Sequence, residues 1–135
     1  MALADLAELD DRQIAIILSR ARCVIGLSCI ALPSVFAGIV LGDTRPATKA
    51  AIRFAGIRDL ALGVGALTTL KERTQDAEWV SMGAVSDAFD GVVMCASRGL
   101  PIRARLFGAG AFGAGGYLLY LSRRLASQRE EMNAA

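Results

Sequence analysis

The sequence predicts an all-α protein, a four-helix transmembrane bundle with an interfacial N-terminal helical lead-in. The chain has 135 residues, of which 54% are hydrophobic, and its mean hydropathy is +0.45. The charged residues form short clusters that leave four stretches of roughly 17 to 21 residues nearly free of charge, which is the length of a bilayer-spanning helix. This composition excludes a disordered chain, a coiled coil and a small disulfide-stapled secreted domain. We therefore predict a single domain, 1–135, with spans at about 23–42, 50–70, 79–97 and 106–122.

The N-terminal segment is the expected lead-in. Met1–Asp11 contains acidic residues but no base, so it lacks the positively charged start of a cleavable secretory signal and should stay attached. Asp10 followed by Gln13 fits a capping box at a helix start. A short apolar run then leads to Arg20 and Arg22, which we place at the membrane interface, outside span one.

Span one runs from Cys23 to Gly42 without a charged residue. At about 1.5 Å per residue, a helix of this length crosses the roughly 30 Å hydrocarbon layer. Pro33 lies in its middle and removes one backbone donor, which predicts a kink. Gly38 and Gly42 form a GxxxG pattern, which predicts a face for close helix contact.

Spans two and three carry the strongest signal in the sequence. Arg58 and Asp59 lie within span two, and Asp87 and Asp90 lie within span three, which begins at an interfacial Trp79. A charged residue at the centre of a membrane helix costs about 2.5 to 3.5 kcal/mol on insertion scales, so these four should face the bundle interior. Because successive spans are antiparallel, counting depth along each helix predicts that Arg58 reaches Asp90.

Span four is uncharged and rich in small residues. Gly108, Gly110 and Gly113 spell GxGxxG, but the dinucleotide fingerprint needs a preceding strand and a following βαβ unit, for which the remaining chain is too short. Small residues four apart instead predict a tightly packed membrane helix. Across the chain, the residues expected at helix contacts are Gly38, Gly42, Gly56, Gly63, Ala109, Gly113 and Gly115.

Composition argues against catalysis. Histidine is absent, which removes the commonest metal ligand and general base. The three cysteines show no CxxC spacing and lie in apolar stretches, where a thiol behaves as a small hydrophobe. A net charge of +2 gives no reason to expect a nucleic-acid partner. We expect no enzymatic activity, no cofactor and no metal site.

One enzyme family comes near in sequence. Gly83, Asp87 and Asp90 give GxxxDxxD, which is similar in shape to the acidic motif of membrane CDP-alcohol phosphotransferases. The upstream DGxxAR of that family and its four-residue gap between the last two acids are both missing. The remaining metal-binding carboxylates are therefore absent from the sequence, and the enzyme interpretation fails.

Two interpretations of the charged residues stay open. In one, Arg58 neutralises one aspartate and the set only fixes helix register. In the other, one arginine against three aspartates leaves unpaired carboxylate that binds or relays a small cation, a proton or a polar ligand. The alternative function is an accessory or scaffold subunit whose glycine-rich faces dock other spans. The expected partners are membrane lipid and a homo-oligomer or larger membrane complex.

Part of the chain resembles a known family. Gly56 to Leu60 with Gly63 and Gly65, followed by Trp79 and the SDxxD-like segment that begins at Ser86, is similar to a domain-of-unknown-function family. Its members are small four-span integral membrane proteins with a GxRDLxLGxG segment in span two. The resemblance covers roughly 53–91 and implies the architecture. It singles out Arg58, Asp59, Asp87 and Asp90 but implies no activity.

Orientation follows from the basic residues near the spans. Eight lie on the side of the termini and six on the opposite side, which predicts cytoplasmic termini in a cell membrane, expected to be a bacterial plasma membrane. The opposite and a dual orientation stay open at this margin. The architectural alternative is a soluble helical bundle whose apolar helices are buried in a large oligomer.

Overall fold

A computed structural model describes residues 9–72 and 76–134, and within these ranges the chain is helical apart from short turns. The all-α prediction is thus confirmed for the described residues. The helices are α1 (Asp11–Ala31), α2 (Pro33–Phe36), α3 (Pro46–Glu72), α4 (Asp76–Ala96) and α5 (Ile102–Ala134), and a π-helical turn (Ala37–Leu41) follows α2.

Helix α1 begins with the predicted capping box. The Gln13 amide donates to Asp10 Oδ1 at 2.7 Å, and the Asp10 amide donates to Gln13 Oε1 at 3.1 Å. The helix then continues through Arg22 into Cys23 without a break. The predicted helical lead-in and the start of span one therefore belong to one continuous helix. The part of the lead-in before residue 9 lies outside the described residues.

The predicted kink is confirmed at Pro33. Helix α1 ends at Ala31, Leu32 adopts φ −124° and ψ 49°, and Pro33 starts α2. Because proline has no amide hydrogen, it fits the first position of a helix, where that donor would be unsatisfied in any case.

Gly38 and Gly42 do not form the expected helix contact. Gly42 has φ +71° and ends the π-helical turn in the left-handed conformation that glycine adopts at little cost. A Cβ atom at Gly38 would meet only the Thr44 side chain, at an ordinary 3.6 Å. The chain reverses here, so the two glycines serve a turn rather than a contact between neighbouring helices.

The helices form two antiparallel hairpins. Helices α1 and α3 make the first hairpin, and α4 and α5 make the second. In the first, a Cβ atom at Gly26 would lie 2.7 Å from the carbonyl oxygen of Gly56. In the second, a Cβ atom at Gly91 would lie 2.6 Å from the carbonyl oxygen of Gly108. Both hairpins therefore bring two backbones together at glycines, as small residues allow in close helix pairs.

A second glycine, seven residues after the first, extends the contact of each hairpin by two helical turns. Gly63 lies seven residues after Gly56 and packs on Cys23, and Gly115 lies seven residues after Gly108 and packs on the backbone of α4. Gly56, Gly63 and Gly115 thus lie at helix contacts, as predicted.

Two other residues of the predicted packing set face outward. Gly113 has nothing within 4 Å of its Cβ position, and Ala109 is exposed. Each lies about 100° or more around α5 from the side that touches α4. These two residues therefore make no close helix contact within the described part of the bundle.

The hydrophobic core lies toward the end of the bundle that holds the termini. All four long helices contribute to it: Ala15, Ala66, Leu70, Val80, Ala84, Leu118, Leu121 and Leu125. Leu70 and Leu121 are fully buried. This core joins the two hairpins at one end. The polar residues described below lie farther from the termini, toward the turns at 42–45 and 97–101.

The outer surface of the bundle is largely apolar. Large exposed hydrophobic side chains occur on every long helix, among them Val24, Leu27, Phe54, Ile57, Val64, Phe89, Val93, Leu106 and Phe112. By length and composition, however, α1 alone among the described helices qualifies as a candidate membrane span. The helical bundle is therefore shown, whereas the four-span arrangement is not confirmed.

Candidate functional site

Five charged side chains meet in the seam between the two hairpins. We call them the ion-pair network: Arg22 on α1, Arg58 and Asp59 on α3, and Asp87 and Asp90 on α4. They alternate in sign in the order Asp87, Arg22, Asp59, Arg58 and Asp90. The network therefore connects three helices and both hairpins.

Arg22 makes the deepest contacts of the network. Its Nη1 donates to Asp59 Oδ1 at 3.3 Å, and its Nη2 donates to the Gly83 carbonyl oxygen at 3.2 Å and to Asp87 Oδ2. Only 11% of the Arg22 side chain is exposed. Because Gly83 and Asp87 belong to α4, a single guanidinium from the first hairpin holds the second.

Arg58 forms the second link. Its Nη1 donates to Asp90 Oδ1 at 2.9 Å and its Nη2 donates to Asp90 Oδ2, which is the two-pronged geometry that a guanidinium and a carboxylate favour. Its Nε also donates to Asp59 Oδ1 at 3.3 Å. The Arg58 and Asp90 side chains are each 39% exposed, more than the Arg22 pairs. The contact itself is the one that the depth count predicts.

The network leaves acceptor oxygens unused. Asp59 Oδ2 and Asp87 Oδ1 receive no hydrogen bond from the described residues. The neighbouring Ser86 hydroxyl is buried, and the described part of the chain offers it no partner. With three carboxylates against two guanidinium groups, the network carries one negative charge in excess when all five are ionised.

A cavity of about 390 Å³ opens beside the network in the seam. Arg22, Asp59, Asp87 and Asp90 form its polar wall, and side chains of all four long helices complete it. The rest of the lining is mainly apolar: Leu18, Ile25, Leu62, Val80, Met94, Phe107 and Leu118, together with Trp79. A mostly apolar cavity with a few convergent polar groups is the usual form of a small-molecule site.

The structure brings the four predicted residues together and adds one. Arg58, Asp59, Asp87 and Asp90 all belong to the network, but Arg22 also does, so the expectation of a lone arginine is wrong. The sequence holds a signal for Arg22, because it falls at the spacing of the buried small residues of α1: Ser19, Gly26 and Cys29. That spacing of three and four residues places Arg22 on the inward face of the helix.

A metal ion does not fit this arrangement. Within 9–72 and 76–134, no group of three or more His, Cys, Asp or Glu residues is placed to hold one. Each carboxylate of the network is already paired with a guanidinium, which would compete with a cation for the same oxygens. The unused oxygens suit single hydrogen bonds from a polar or ammonium group instead.

Comparison with known proteins adds nothing to the geometry. No family model matches the chain, and neither a curated protein nor a solved structure matches it. The resemblance to a family of four-span membrane proteins stays a prediction.

Proposed function

We propose that this chain is a four-span protein of a bacterial plasma membrane, with cytoplasmic termini, that binds a small organic cation in the cavity of the seam. The observation that carries the proposal is the composition of the cavity wall, where unused carboxylate oxygens and excess negative charge stand opposite apolar side chains. A ligand with a protonated amine and an apolar body complements both sides.

The direction in which the charges face supports the membrane placement. Arg58, Asp59, Asp87 and Asp90 lower the hydropathy of α3 and α4, yet they pair with one another and with Arg22 in the seam, where Asp59 and Asp87 are only 19% and 18% exposed. Large apolar side chains face outward on every long helix. Ionisable residues inside and apolar residues outside are typical of a polytopic membrane bundle.

The cavity offers an organic cation three kinds of contact. Asp59 Oδ2 and Asp87 Oδ1 accept hydrogen bonds, and the excess negative charge is neutralised on binding. Trp79 lines the same cavity, and its ring packs on Gly65 of α3, so it can contact the apolar body of the ligand. The apolar wall near Leu62 and Met94 lowers the local polarity, which strengthens each of these contacts.

A proton on one aspartate neutralises the same excess charge. Ligand binding and protonation of the network therefore compete, and affinity should fall as the pH is lowered. This competition connects the proposal with the proton-relay interpretation, since both use the same carboxylates.

The test uses the single tryptophan of the chain. Trp79 lines the cavity, so its fluorescence should report binding to the full chain in lipid nanodiscs. The probes are 2-phenylethylammonium and, as a neutral ligand of matched size, 2-phenylethanol. Asp87→Asn should weaken binding of the ammonium tenfold or more, because hydrogen bonds to charged groups contribute about 1.5 to 3 kcal/mol, and it should leave the alcohol unchanged.

Glu78→Gln is the matched control. It removes an exposed carboxylate next to Trp79 in the sequence, outside the cavity lining. Equal binding of both probes, or equal losses in the two variants, contradicts the proposal. A change of oligomeric state in Asp87→Asn with unchanged binding would favour the scaffold alternative.

One observation favours that alternative. Gly113 and Gly116 lie on the outer face of α5 with nothing within 4 Å of their Cβ positions. A smooth face of this kind suits close contact with a helix of another subunit. In that case the ion-pair network only holds the hairpins together.

A further inference from the structure

The end of the bundle that holds the turns carries an unbalanced positive charge. We call it the loop end and define it as 42–53 together with 97–105. It contains one acid, Asp43, and the following bases: Arg45, Lys49, Arg53, Arg98, Arg103 and Arg105. Lys49 is half-buried and the other five are exposed.

The fold brings the two basic segments of the loop end together. The guanidinium of Arg103, on the second hairpin, lies against Gly42 in the turn of the first, with Nη2 2.5 Å from the place a Cβ atom would take. In the sequence, the three bases after α4 are too few for a lipid-binding cluster of four to eight. The structure adds the three bases of the other segment and reaches that number.

The single acid of the loop end neutralises only one of its six bases. Asp43 is held by its own turn, where it pairs with Arg45 at 2.9 Å and accepts from the Thr48 hydroxyl at 2.6 Å. The remaining five bases form no ion pair with any described residue.

The opposite end of the bundle differs in charge. Its bases are interspersed with acids, and Arg124 pairs with Asp11 at 2.9 Å across α5 and α1. Described acids at that end include Asp10, Asp11, Glu72, Glu78, Glu130 and Glu131. The positive excess is therefore specific to the loop end.

Exposed apolar side chains lie directly beside the bases. Phe54, next to Arg53, is 72% exposed, and Ile102, next to Arg103, is 71% exposed. Arg105 is likewise followed by an exposed Leu106. Alternation of guanidinium groups and apolar side chains fits the boundary between headgroups and acyl chains, where long basic side chains reach toward the phosphates.

We propose that the loop end binds the phosphate groups of anionic phospholipids and enriches such lipids around the protein. The proposal rests on the membrane placement argued above, but not on the ligand of the cavity. Anionic headgroups are the partner because the patch is positive, lies at one end of a bundle with a largely apolar outer surface, and borders exposed apolar residues. An acidic soluble protein would not account for Phe54 and Ile102.

The test measures lipid preference in vesicles of phosphatidylcholine that contain the full chain. Spin-labelled phosphatidylglycerol and spin-labelled phosphatidylcholine are compared by the fraction of each that is immobilised at the protein. We expect a preference for phosphatidylglycerol of about fivefold, which falls by at least half in Arg98→Gln/Arg103→Gln/Arg105→Gln and in 1 M salt. The matched control, Lys71→Gln/Arg123→Gln/Arg129→Gln at the opposite end, should keep it.

The outcomes separate this proposal from the proposed function. Chain that sodium carbonate removes from the vesicles contradicts the membrane placement and overturns both proposals. Chain that stays in the bilayer without a preference for phosphatidylglycerol, or that loses the preference equally in both triple variants, overturns this one alone. Should the loop-end variant fail to insert, loss of the wild-type preference in 1 M salt supports the proposal and its persistence overturns it.

Discussion

Contacts within the two hairpins differ in kind from contacts between them. Within each hairpin, glycines bring backbones together: Gly26 on Gly56 in the first, Gly91 on Gly108 in the second. Between the hairpins, near the middle of the bundle, Arg22 and its carboxylate partners bridge a seam that also holds the cavity. The hairpins therefore behave as two close-packed units that are joined by a hydrophobic core at one end and by ion pairs beyond it.

This difference indicates where a ligand can enter. A steric contact between backbones leaves no room and changes little when charge changes. A contact made by side-chain ion pairs depends on the charge of each member and can exchange one partner for another. The comparison predicts that substitutions in the seam act through charge, whereas substitutions inside a hairpin act through volume.

The largest effect should follow the loss of Arg22. Arg22→Met removes the guanidinium partner of Asp87, which is 18% exposed, and one of the two guanidinium partners of Asp59, which is 19% exposed. Removing one partner of a buried ion pair typically lowers the free energy of unfolding by about 3 to 5 kcal/mol. We expect a loss of that size in the free energy of unfolding, measured by far-UV circular dichroism during a denaturant titration in mixed micelles.

Two further variants distinguish an effect of charge from an effect of volume. Arg20→Met, two residues away and exposed, should change the free energy of unfolding by less than about 0.5 kcal/mol. The double variant Arg22→Met/Asp87→Leu should recover most of the loss, because the uncompensated charge goes with its partner. If the double variant is as unstable as Arg22→Met, volume rather than charge governs the contacts of the seam, as it does inside the hairpins.

A smaller effect, caused by volume rather than by charge, is expected inside the second hairpin. A Cβ atom at Gly115 would lie 2.7 Å from the Ala84 carbonyl oxygen and 2.9 Å from the Ala88 amide nitrogen. These are backbone atoms, so α4 must move. Gly115→Ala should destabilise by about 1 to 3 kcal/mol, as overpacking of a close contact does.

The adjacent glycine provides the control. Gly116 has nothing within 4 Å, and Gly116→Ala should stabilise by about 0.5 to 1 kcal/mol through the higher helix propensity of alanine. The same denaturant titration measures both variants. A destabilised Gly116→Ala together with a neutral Gly115→Ala would show that the two faces of α5 are assigned the wrong way round.

The sequence predicts part of this arrangement for physical reasons. A charged side chain in an apolar helix is costly unless it faces the bundle interior, and the rise per residue fixes how far along the helix it lies. The contact between Arg58 and Asp90 therefore follows from counting residues. Pro33 and the Asp10–Gln13 capping box act locally, and both are found as predicted.

Other features depend on how helices pack. Arg22 lies at the edge of an uncharged stretch, where it is indistinguishable from an interfacial flank unless its face of the helix is considered. Gly38 and Gly42 match a contact pattern, yet the chain turns at Gly42. The cavity forms only because two hairpins meet over part of their length, and no local pattern encodes that.

The smallest expected effect concerns the turn before α3, which lies outside both kinds of contact. Hydrogen bonds from the Thr48 hydroxyl and from the Arg45 backbone and side chain lower the pKa of Asp43 to about 2 from its ordinary 3.8. A lowered pKa means that the ionised carboxylate stabilises the fold above about pH 4 and that this contribution is lost as the pH falls toward 2.

Asp43→Asn should therefore flatten the dependence of the melting temperature on pH between 4 and 2. It should leave the ion-pair network of the seam intact at neutral pH. The carboxyl carbon shift of Asp43 in a pH titration by NMR gives the pKa directly. A midpoint near 4 would contradict the hydrogen-bonded turn.

The placement of four helices across the bilayer is tested most directly by labelling single cysteines from one side. In a chain whose three native cysteines are replaced by alanine, one cysteine is introduced at Thr44, Glu72, Gly99 or Ser127, and intact vesicles are treated with a membrane-impermeant maleimide. We predict that Thr44 and Gly99 share one side while Glu72 and Ser127 share the other, so that only one pair reacts until the vesicles are permeabilised. Complete labelling of all four positions in intact vesicles would contradict the four-span bundle.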